Sequence, residues 1–505
     1  MTLGELVGRA RPIAVAGPAD VEIHGLAFDS RRATPDSLFV ALPGTRTNGN
    51  RFIRDALERG AIAVMSELEP PPAPFALARR GGRPVSWVRV ADATAALGAV
   101  AAEFYGRPSE RMTVVGVTGT NGKTTTTYLL EAVLACAGHA TGVLGTVNYR
   151  LKGRELEPSA NTTPLSADLQ RLLARMLSAG ASHAVMEVSS HALALKRVDD
   201  VDFDVGVFMN LSRDHLDFHG SREAYLEAKA RLFELLSRLP TAKRKRTALL
   251  NRDDPAYPRL KHVAEPAAVA TFGLRGEGDF QAAGVAASLE GTHFRLSHGG
   301  RERTVGLRLI GEHNVYNALA AAAAALTLDV PEQRVIEGLE SLAGVPGRLE
   351  AIAAGQPFHV LVDYAHTDSA LQAVLACLGR LPHGRLLTVF GCGGDRDATK
   401  RGPMGAAAAG GSDFVYLTSD NPRTEDPLRI LAQIEEGIKT DGRKNYKIIP
   451  DREAAIQEAV RDAKEGDVVL IAGKGHEATQ ILKDRTVHFD DREAAREALR
   501  RRSSR

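Results

Sequence analysis

Lys123 follows Gly119-Thr120-Asn121-Gly122 and precedes Thr124 and Thr125. A glycine-rich turn of this kind aims backbone N–H groups at a phosphate where a helix begins. Lys123 would neutralise the β- and γ-phosphates, and the Thr124 hydroxyl would ligate magnesium. The turn departs from the strict phosphate-loop spacing, because Val117 occupies the first glycine position. ATP is the expected ligand. "HAVMEVSSH" at 183–191 is a strand that ends in polar residues; Glu187 in it sits where a nucleotide fold places a magnesium carboxylate, though a capping carboxylate would look the same. "LSRDHLDFHG" at 211–220 gathers Asp214, His215, Asp217 and His219, a donor mixture suited to a divalent metal or to a plain polar loop. Lys229 lies four residues after Tyr225 and before Leu232 and Phe233, inside an apolar helical stripe. Such a lysine either snorkels to solvent or is a desolvated functional amine with a lowered pKa.

A second group of polar residues lies beyond 350. "FHVLVDYAH", "RLLTVFGCGG", "DFVYLTSDNP" and "DVVLIAGKGH" are apolar runs that each end in a polar or glycine-rich loop. Helical patterns separate them, so a parallel α/β sheet is expected, with ligands at the carboxyl ends of its strands. Asp363, His366, Asp395, Arg396, Asp420, Asn421, Arg423, Lys474, His476 and Glu477 should therefore share one rim.

The elements that must hold these groups span 505 residues, too many for one core. Boundaries fall at "RPSER" (107–111) and at "LAGVPGRLE" (342–350), which breaks a helix. The domains are then 1–107, 108–344 and 345–505. "EPPPAPF" (69–75) reads as a surface loop, and "ALAAAAAALTLDV" (318–330) as a buried helix too short for a membrane span. With 64 basic and 62 acidic residues the net charge is +2, so no global field attracts nucleic acid. The one dense basic run, Lys243-Arg244-Lys245-Arg246, lacks interleaved aromatics and reads as a solvated loop. Cys136, Cys377 and Cys392 form no CxxC pair, which fits a reducing compartment. No signal-peptide pattern opens the chain, and a cytoplasmic location is expected.

The ordered set "GVTGTNGKTTT", "NTTP", "EVSSHAL", "LSRDHLDFHG", "EAKARLF", "GEHNVYNALAA", "GRLE", "DYAHT", "GCGGDRD", "SDNPR" and "GKGHE" resembles the Mur ligases, the ATP-dependent amino-acid ligases of peptidoglycan synthesis. "FDSRRATPDSLFVALPGTRTNGNRF" (28–52) extends the likeness to the N-terminus, so it covers the whole chain. The DSR, DNPR and GKGHE segments are most similar to the member that adds the third peptide residue. The resemblance implies an α/β protein of three domains: a UDP-binding N-terminal domain, a central P-loop ATPase with a mostly parallel sheet, and a C-terminal Rossmann-like domain. It implies ligation of meso-diaminopimelate to UDP-N-acetylmuramoyl-L-alanyl-D-glutamate by a monomer that uses ATP and Mg2+.

Residue by residue, the likeness assigns ATP to Gly119, Thr120, Asn121, Gly122, Lys123, Thr124, Thr125, Asn314, Arg348 and Asp363. It assigns Mg2+ to Thr124, Glu187, His215 and a carbamylated Lys229, with Lys123, His215 and Lys229 catalytic. The UDP-linked substrate falls to Ser30, Thr45, Arg46, Thr47, Asn161, Thr162, Thr163, Ser189 and Arg197. The incoming diamino acid falls to Arg396, Asp420, Asn421, Pro422, Arg423, Gly473 and Glu477. Three positions depart from the family pattern: Leu195 for a glutamine, Asp368 for a proline, and Gly402, which shifts a proline to Pro403. A GTPase or motor is disfavoured, because no guanine-reading NKxD is found.

Overall fold

The computed structural model describes residues 1–44, 47–70, 84–238, 243, 246–440, 442 and 444–503. Thr45, Arg46, Arg244, Lys245 and most of the 69–75 loop lie outside the described residues. Two compact units divide the chain: 1–281 with 316–338, and 282–315 with 339–505.

The first unit carries two sheets. Short apolar strands near the N-terminus form five-stranded order Ala14–Ala16, Ser86–Arg89, Ala63–Ser66, Ser37–Val40, Gly25–Ala27, parallel except at the first. Helix Ala93–Phe104 starts at Asp92, whose carboxylate accepts the Ala95 N–H at 2.9 Å. It buries Ala96, Leu97 and Val100 in one cluster with Leu38, Val40 and Val88.

The second sheet of this unit positions the phosphate turn. Strand Thr113–Thr118 is flanked in parallel by His183–Glu187 and Val205–Phe208. Val114, Val115 and Val117 are wholly buried, and each full burial contributes about 1.5–3 kcal/mol. Thr141–Leu144 continues the sheet on one side, and Thr247–Asn251 then Ala268–Gly273 on the other, all parallel. Helix Lys123–Cys136 follows the central strand directly. Helix Arg222–Ser237, capped by Ser221, packs Tyr225, Leu232, Phe233 and Leu236 into the core.

The basic run is not solvated where it is described. Lys243 Nζ donates to Asp204 at 2.8 Å, and Arg246 is paired with Asp202; their side chains are 8% and 10% exposed. Both carboxylates lie around the start of strand Val205–Phe208, about forty residues away in sequence, so a local reading of charge could not find them. The alanine-rich stretch is a buried helix, Glu312–Thr327, and no helix among the described residues is long and apolar enough to cross a membrane.

In the second unit the four apolar runs become strands of one sheet, as expected. The order is Glu350–Ala351, His359–Asp363, Val468–Ala472, Leu386–Phe390, Phe414–Leu417, Tyr446–Ile448, with only the first antiparallel. Separate apolar clusters cover its faces, one around Leu371, Met404 and Ile434, the other around Ile456, Val460 and Leu499. Where the family pattern has proline, Asp368 opens helix Asp368–Leu378, capped by Thr367. An acidic side chain suits the positive end of a helix, so the change keeps the turn intact. Gly402 meets a close helix crossing, because a Cβ on Gly437 would lie 1.9 Å from the Gly402 carbonyl oxygen.

Candidate active site

In the first unit, Gly119 and Gly122 adopt positive φ of 150° and 90°. A side chain at Gly122 would strike the Asn317 amide, so glycine meets both the turn and the close approach. The turn is laced to the end of strand Val205–Phe208. Thr120 N–H donates to the Asn210 carbonyl at 2.9 Å, Asn121 N–H to the Asn210 side chain at 2.9 Å, and Ser212 N–H to the Thr120 hydroxyl at 3.0 Å. Lys123 Nζ folds back onto the Gly119 and Thr120 carbonyls at 2.8 and 2.9 Å. The Thr124 hydroxyl donates to the Glu187 carboxylate at 3.1 Å, so the hydroxyl and carboxylate expected at magnesium meet. Glu187 also accepts the Thr146 N–H at 2.8 Å and hydroxyl at 3.0 Å.

Lys229 does not snorkel. It is 1% exposed, its Nζ donates to the same Gly119 carbonyl at 2.9 Å, and it lies 4.3 Å from the Tyr225 ring centroid. Burial first, and then the charge of Lys123, push its pKa well below the ordinary lysine value, with Asp214 opposing. Tyr225 in turn meets the Thr120 hydroxyl at 3.2 Å.

His215, with φ of 52° and its Nε2 3.4 Å from Asp214, joins His191, Phe218 and His219 in a ring cluster. Burial, then His215 and His219, lower the His191 pKa to about 4, which keeps that ring neutral. Among the described residues no group of three or more His, Cys, Asp or Glu side chains could hold a metal. The Thr124 hydroxyl and the Glu187 carboxylate alone would suit magnesium, since this ion takes one or two carboxylates and completes its shell with water and phosphate oxygens.

Around Glu187 the structure also gathers residues expected at the UDP-linked substrate. The Thr163 hydroxyl donates to the Glu187 carbonyl at 2.9 Å and accepts the Ser189 N–H at 3.0 Å. Arg197 donates to the Thr163 carbonyl at 3.1 Å, and its Nε is buried without a partner. Thr162 meets Thr146 at 3.1 Å, and the Asn161 carbonyl accepts the Tyr149 hydroxyl at 2.7 Å. Ser30 instead opens the short helical turn Ser30–Arg32 after strand Gly25–Ala27, and Thr47 lies in the loop after strand Ser37–Val40. Leu195, where the family pattern has glutamine, is 40% exposed.

The second unit assembles the rim at the strand ends. The buried Asp363 carboxylate accepts the Leu349 and Ala365 N–H groups, each at 2.8 Å. Burial raises its pKa, against the opposing charge of Arg348. Arg348 lies over the Tyr364 ring at 5.0 Å, and the Asn314 amide donates to the Ile310 carbonyl at 2.9 Å. Asn421 donates to Glu477 at 2.9 Å and accepts the Ile481 N–H at 3.0 Å. Gly473 leaves only 3.1 Å between a would-be Cβ and the Asp420 carboxylate. Arg423 has φ of 53°; its N–H donates to the Ile481 carbonyl at 3.0 Å and its guanidinium to the Gly394 carbonyl at 2.7 Å. Arg396 is exposed on the facing loop.

Lys474 is a hub whose place on the rim is legible in the sequence but whose role is not. Wholly buried, it donates to the Thr479 carbonyl at 2.6 Å and the Asn421 side chain at 3.1 Å, and pairs with Glu477 at 3.4 Å. Sequence reasoning also misses Asn210, and it quotes the stretch holding Ser212 without its role in lacing the phosphate turn.

A glycine-rich turn between a buried parallel strand and a helix, with lysine, threonine and carboxylate converging on it, defines a mononucleotide-binding α/β protein. The chain matches the Mur ligase family catalytic domain over 22–105, the Mur ligase middle domain over 117–325, and the Mur ligase glutamate ligase domain over 347–475. The chain belongs to the Mur ligase family. It is 48% identical over 503 residues to the UDP-N-acetylmuramoyl-L-alanyl-D-glutamate–2,6-diaminopimelate ligase of Solibacter usitatus, covering 99% of this chain and 98% of the relative. The protein of the same name from Geobacter metallireducens is 44% identical, covering 100% and 99%. A solved structure of a ligase of that name aligns at TM-score 0.72 and 33% identity over all of both chains. MurF ligase from Thermotoga maritima, solved in complex with ADP, shares the fold at TM-score 0.64 and 22% identity, over 95% of this chain and 98% of that one.

Proposed function

We propose that this chain is an ATP-dependent ligase of peptidoglycan precursor synthesis. It joins an amino group of meso-diaminopimelate to the D-glutamate γ-carboxylate of UDP-N-acetylmuramoyl-L-alanyl-D-glutamate. The observation that carries the choice of amino acid is Arg423, held on a fixed turn at the strand ends beside Asp420, Asn421 and Glu477. The full-length similarity to ligases named for this reaction supports the same reading.

A carboxylate is a poor electrophile, so the reaction needs a leaving group. A γ-carboxylate oxygen attacks the γ-phosphorus of ATP, the bond to ADP breaks, and an acyl phosphate forms. The amine attacks the acyl carbon, loses a proton, and phosphate departs with the C–O bonding pair. Two anions must approach in the first step, so cations matter most there. Lys123 would leave its two carbonyl partners for the phosphates, which the backbone N–H groups of 119–125 would cradle. Thr124, Glu187, His215 and Lys229 as a carbamate would hold Mg2+, which would supply charge neutralisation of the phosphates. Asn314 would meet adenine, and Arg348 and Asp363 the phosphates and ribose. Ser30, Thr45 to Thr47, Asn161 to Thr163, Ser189 and Arg197 would bind the UDP-linked substrate. We assign UDP binding to 1–107, ATP to 108–344 and the diamino acid to 345–505, in a cytoplasmic monomer.

The test is phosphate release by the purified chain with ATP, magnesium and the UDP-muramoyl dipeptide. Release should require meso-diaminopimelate. Release without any amino acid, or none with this one, overturns the reading. A single substitution probes the rim itself. A Cβ on Gly393 would lie 2.9 Å from the Arg423 guanidinium, near enough to displace it while the backbone stays put. Gly393→Ala should raise the KM for diaminopimelate about tenfold and leave the KM for ATP within twofold, measured by steady-state kinetics.

A further inference from the structure

Arg401 is the first residue of helix Arg401–Gly411 and its side chain is 1% exposed. A buried guanidinium must be paired and hydrogen-bonded. Here it grips Glu425 in a fork, with both contacts at 2.9 Å, and donates to the Gln433 side chain at 2.6 Å and the Gly393 carbonyl at 3.2 Å. Glu425 uses the same carboxylate to accept the Asp395 N–H at 2.6 Å. Asp395 then takes the Thr424 hydroxyl at 2.7 Å and N–H at 3.1 Å. Gly394 N–H donates to the Asn421 carbonyl at 2.9 Å, and the Gly394 carbonyl receives Arg423. Two loops, 393–395 and 421–425, are thus stitched face to face, with Arg401 beneath the seam.

The seam holds something strained. Asp395 on one loop and Arg423 on the other adopt φ of 52° and 53°, a region that side-chain-bearing residues populate sparsely. Such residues persist when their surroundings over-determine them. A fork of two parallel bonds fixes direction as well as distance, which a single point charge does not. We infer that Arg401 is a positioning residue for selection of the diamino acid: through Glu425 it fixes the turn that presents Arg423. This rests on the ligase reading above. It differs from a role in stability alone, which would lower the amount of active enzyme and leave every KM unchanged.

Steady-state kinetics of the full chain separates the two. Arg401→Met and Glu425→Gln should each raise the KM for meso-diaminopimelate about tenfold, with the KM for ATP within twofold. The double variant should be no worse than the worse single, because both break one link. Arg401→Lys should fall between wild type and Arg401→Met. If Arg401→Met does not fold, Glu425→Gln, at a side chain 31% exposed, answers alone. An unmoved KM for the diamino acid, a parallel rise in the KM for ATP, or additive effects in the double variant overturns the positioning role. A wild type that releases no phosphate with diaminopimelate overturns the ligase reading, and this inference with it.

Discussion

Lys229→Met is expected to cut turnover about a thousandfold while leaving the protein at least as stable, the magnitude being that of a lost electrostatic group at a reacting phosphate. The two halves of this result have one origin. Lys229 lies in the apolar stripe of helix Arg222–Ser237, among Tyr225, Leu232 and Phe233, and is 1% exposed. An ammonium there loses its hydration and feels the like charge of Lys123, so its pKa falls well below the ordinary value. A lowered lysine pKa means that the neutral amine persists to lower pH, and a neutral amine is a nucleophile. Its lone pair can attack the carbon of CO2; one C–O π pair moves to oxygen, a proton leaves nitrogen, and a carbamate anion results. That converts an unfavourable buried cation into a hard oxygen donor suited to magnesium. Methionine has similar length and no charge, so it should fill the stripe without the desolvation cost, and the melting temperature should hold or rise. Carbon-13 bicarbonate should give a carbamate resonance in wild type that Lys229→Met lacks. A bare amine in wild-type protein with bicarbonate present, or full activity of the methionine variant, would sink the assignment.

Lys229 also shows what a sequence can reveal. Its position in a helical stripe is a local property, so the conflict between its charge and its surroundings is legible in the sequence alone. The same is true of the phosphate turn and of the four strands beyond 350, whose periodicity and terminating loops are local too. The partners are not local. Lys243 and Arg246 read as part of a solvated run, yet they meet Asp204 and Asp202, brought alongside by the fold. In the sequence Arg401 is one more charge beside small residues. Its carboxylate lies 24 residues away, and its purpose is legible only once two loops face each other. The residues expected at magnesium can be picked out singly, but the Thr124–Glu187 contact that pairs two of them spans 63 residues. Patterns of period report which face of an element is buried; they do not report what waits on the neighbouring element.

For Arg423→Ala, kcat/KM for meso-diaminopimelate should fall a hundredfold to a thousandfold with the KM for ATP little changed. That is about 3–4 kcal/mol, inside the range of about 2–5 kcal/mol or more for truncating one partner of a hydrogen-bonded charge pair. meso-Diaminopimelate carries a second carboxylate at the far end of its side chain, where lysine has only hydrogen. A guanidinium has a planar fork of five donors. In Arg423 one nitrogen is committed to the Gly394 carbonyl, which leaves the fork directed rather than swinging. A carboxylate that meets a directed fork forms two parallel bonds. Lysine in the same place would leave a half-buried cation unpaired, and a site that loses a required polar partner discriminates strongly. Arg423→Lys should therefore recover little of the loss, since an ammonium supplies charge without the fork. The measurement is a competition of diaminopimelate against lysine in wild type and both variants. Wild type should reject lysine by at least a hundredfold, and Arg423→Ala should bring the two substrates within about tenfold, because what it removes is the group that tells them apart. Equal use of lysine and diaminopimelate by the wild type would assign the selection to some other part of the rim.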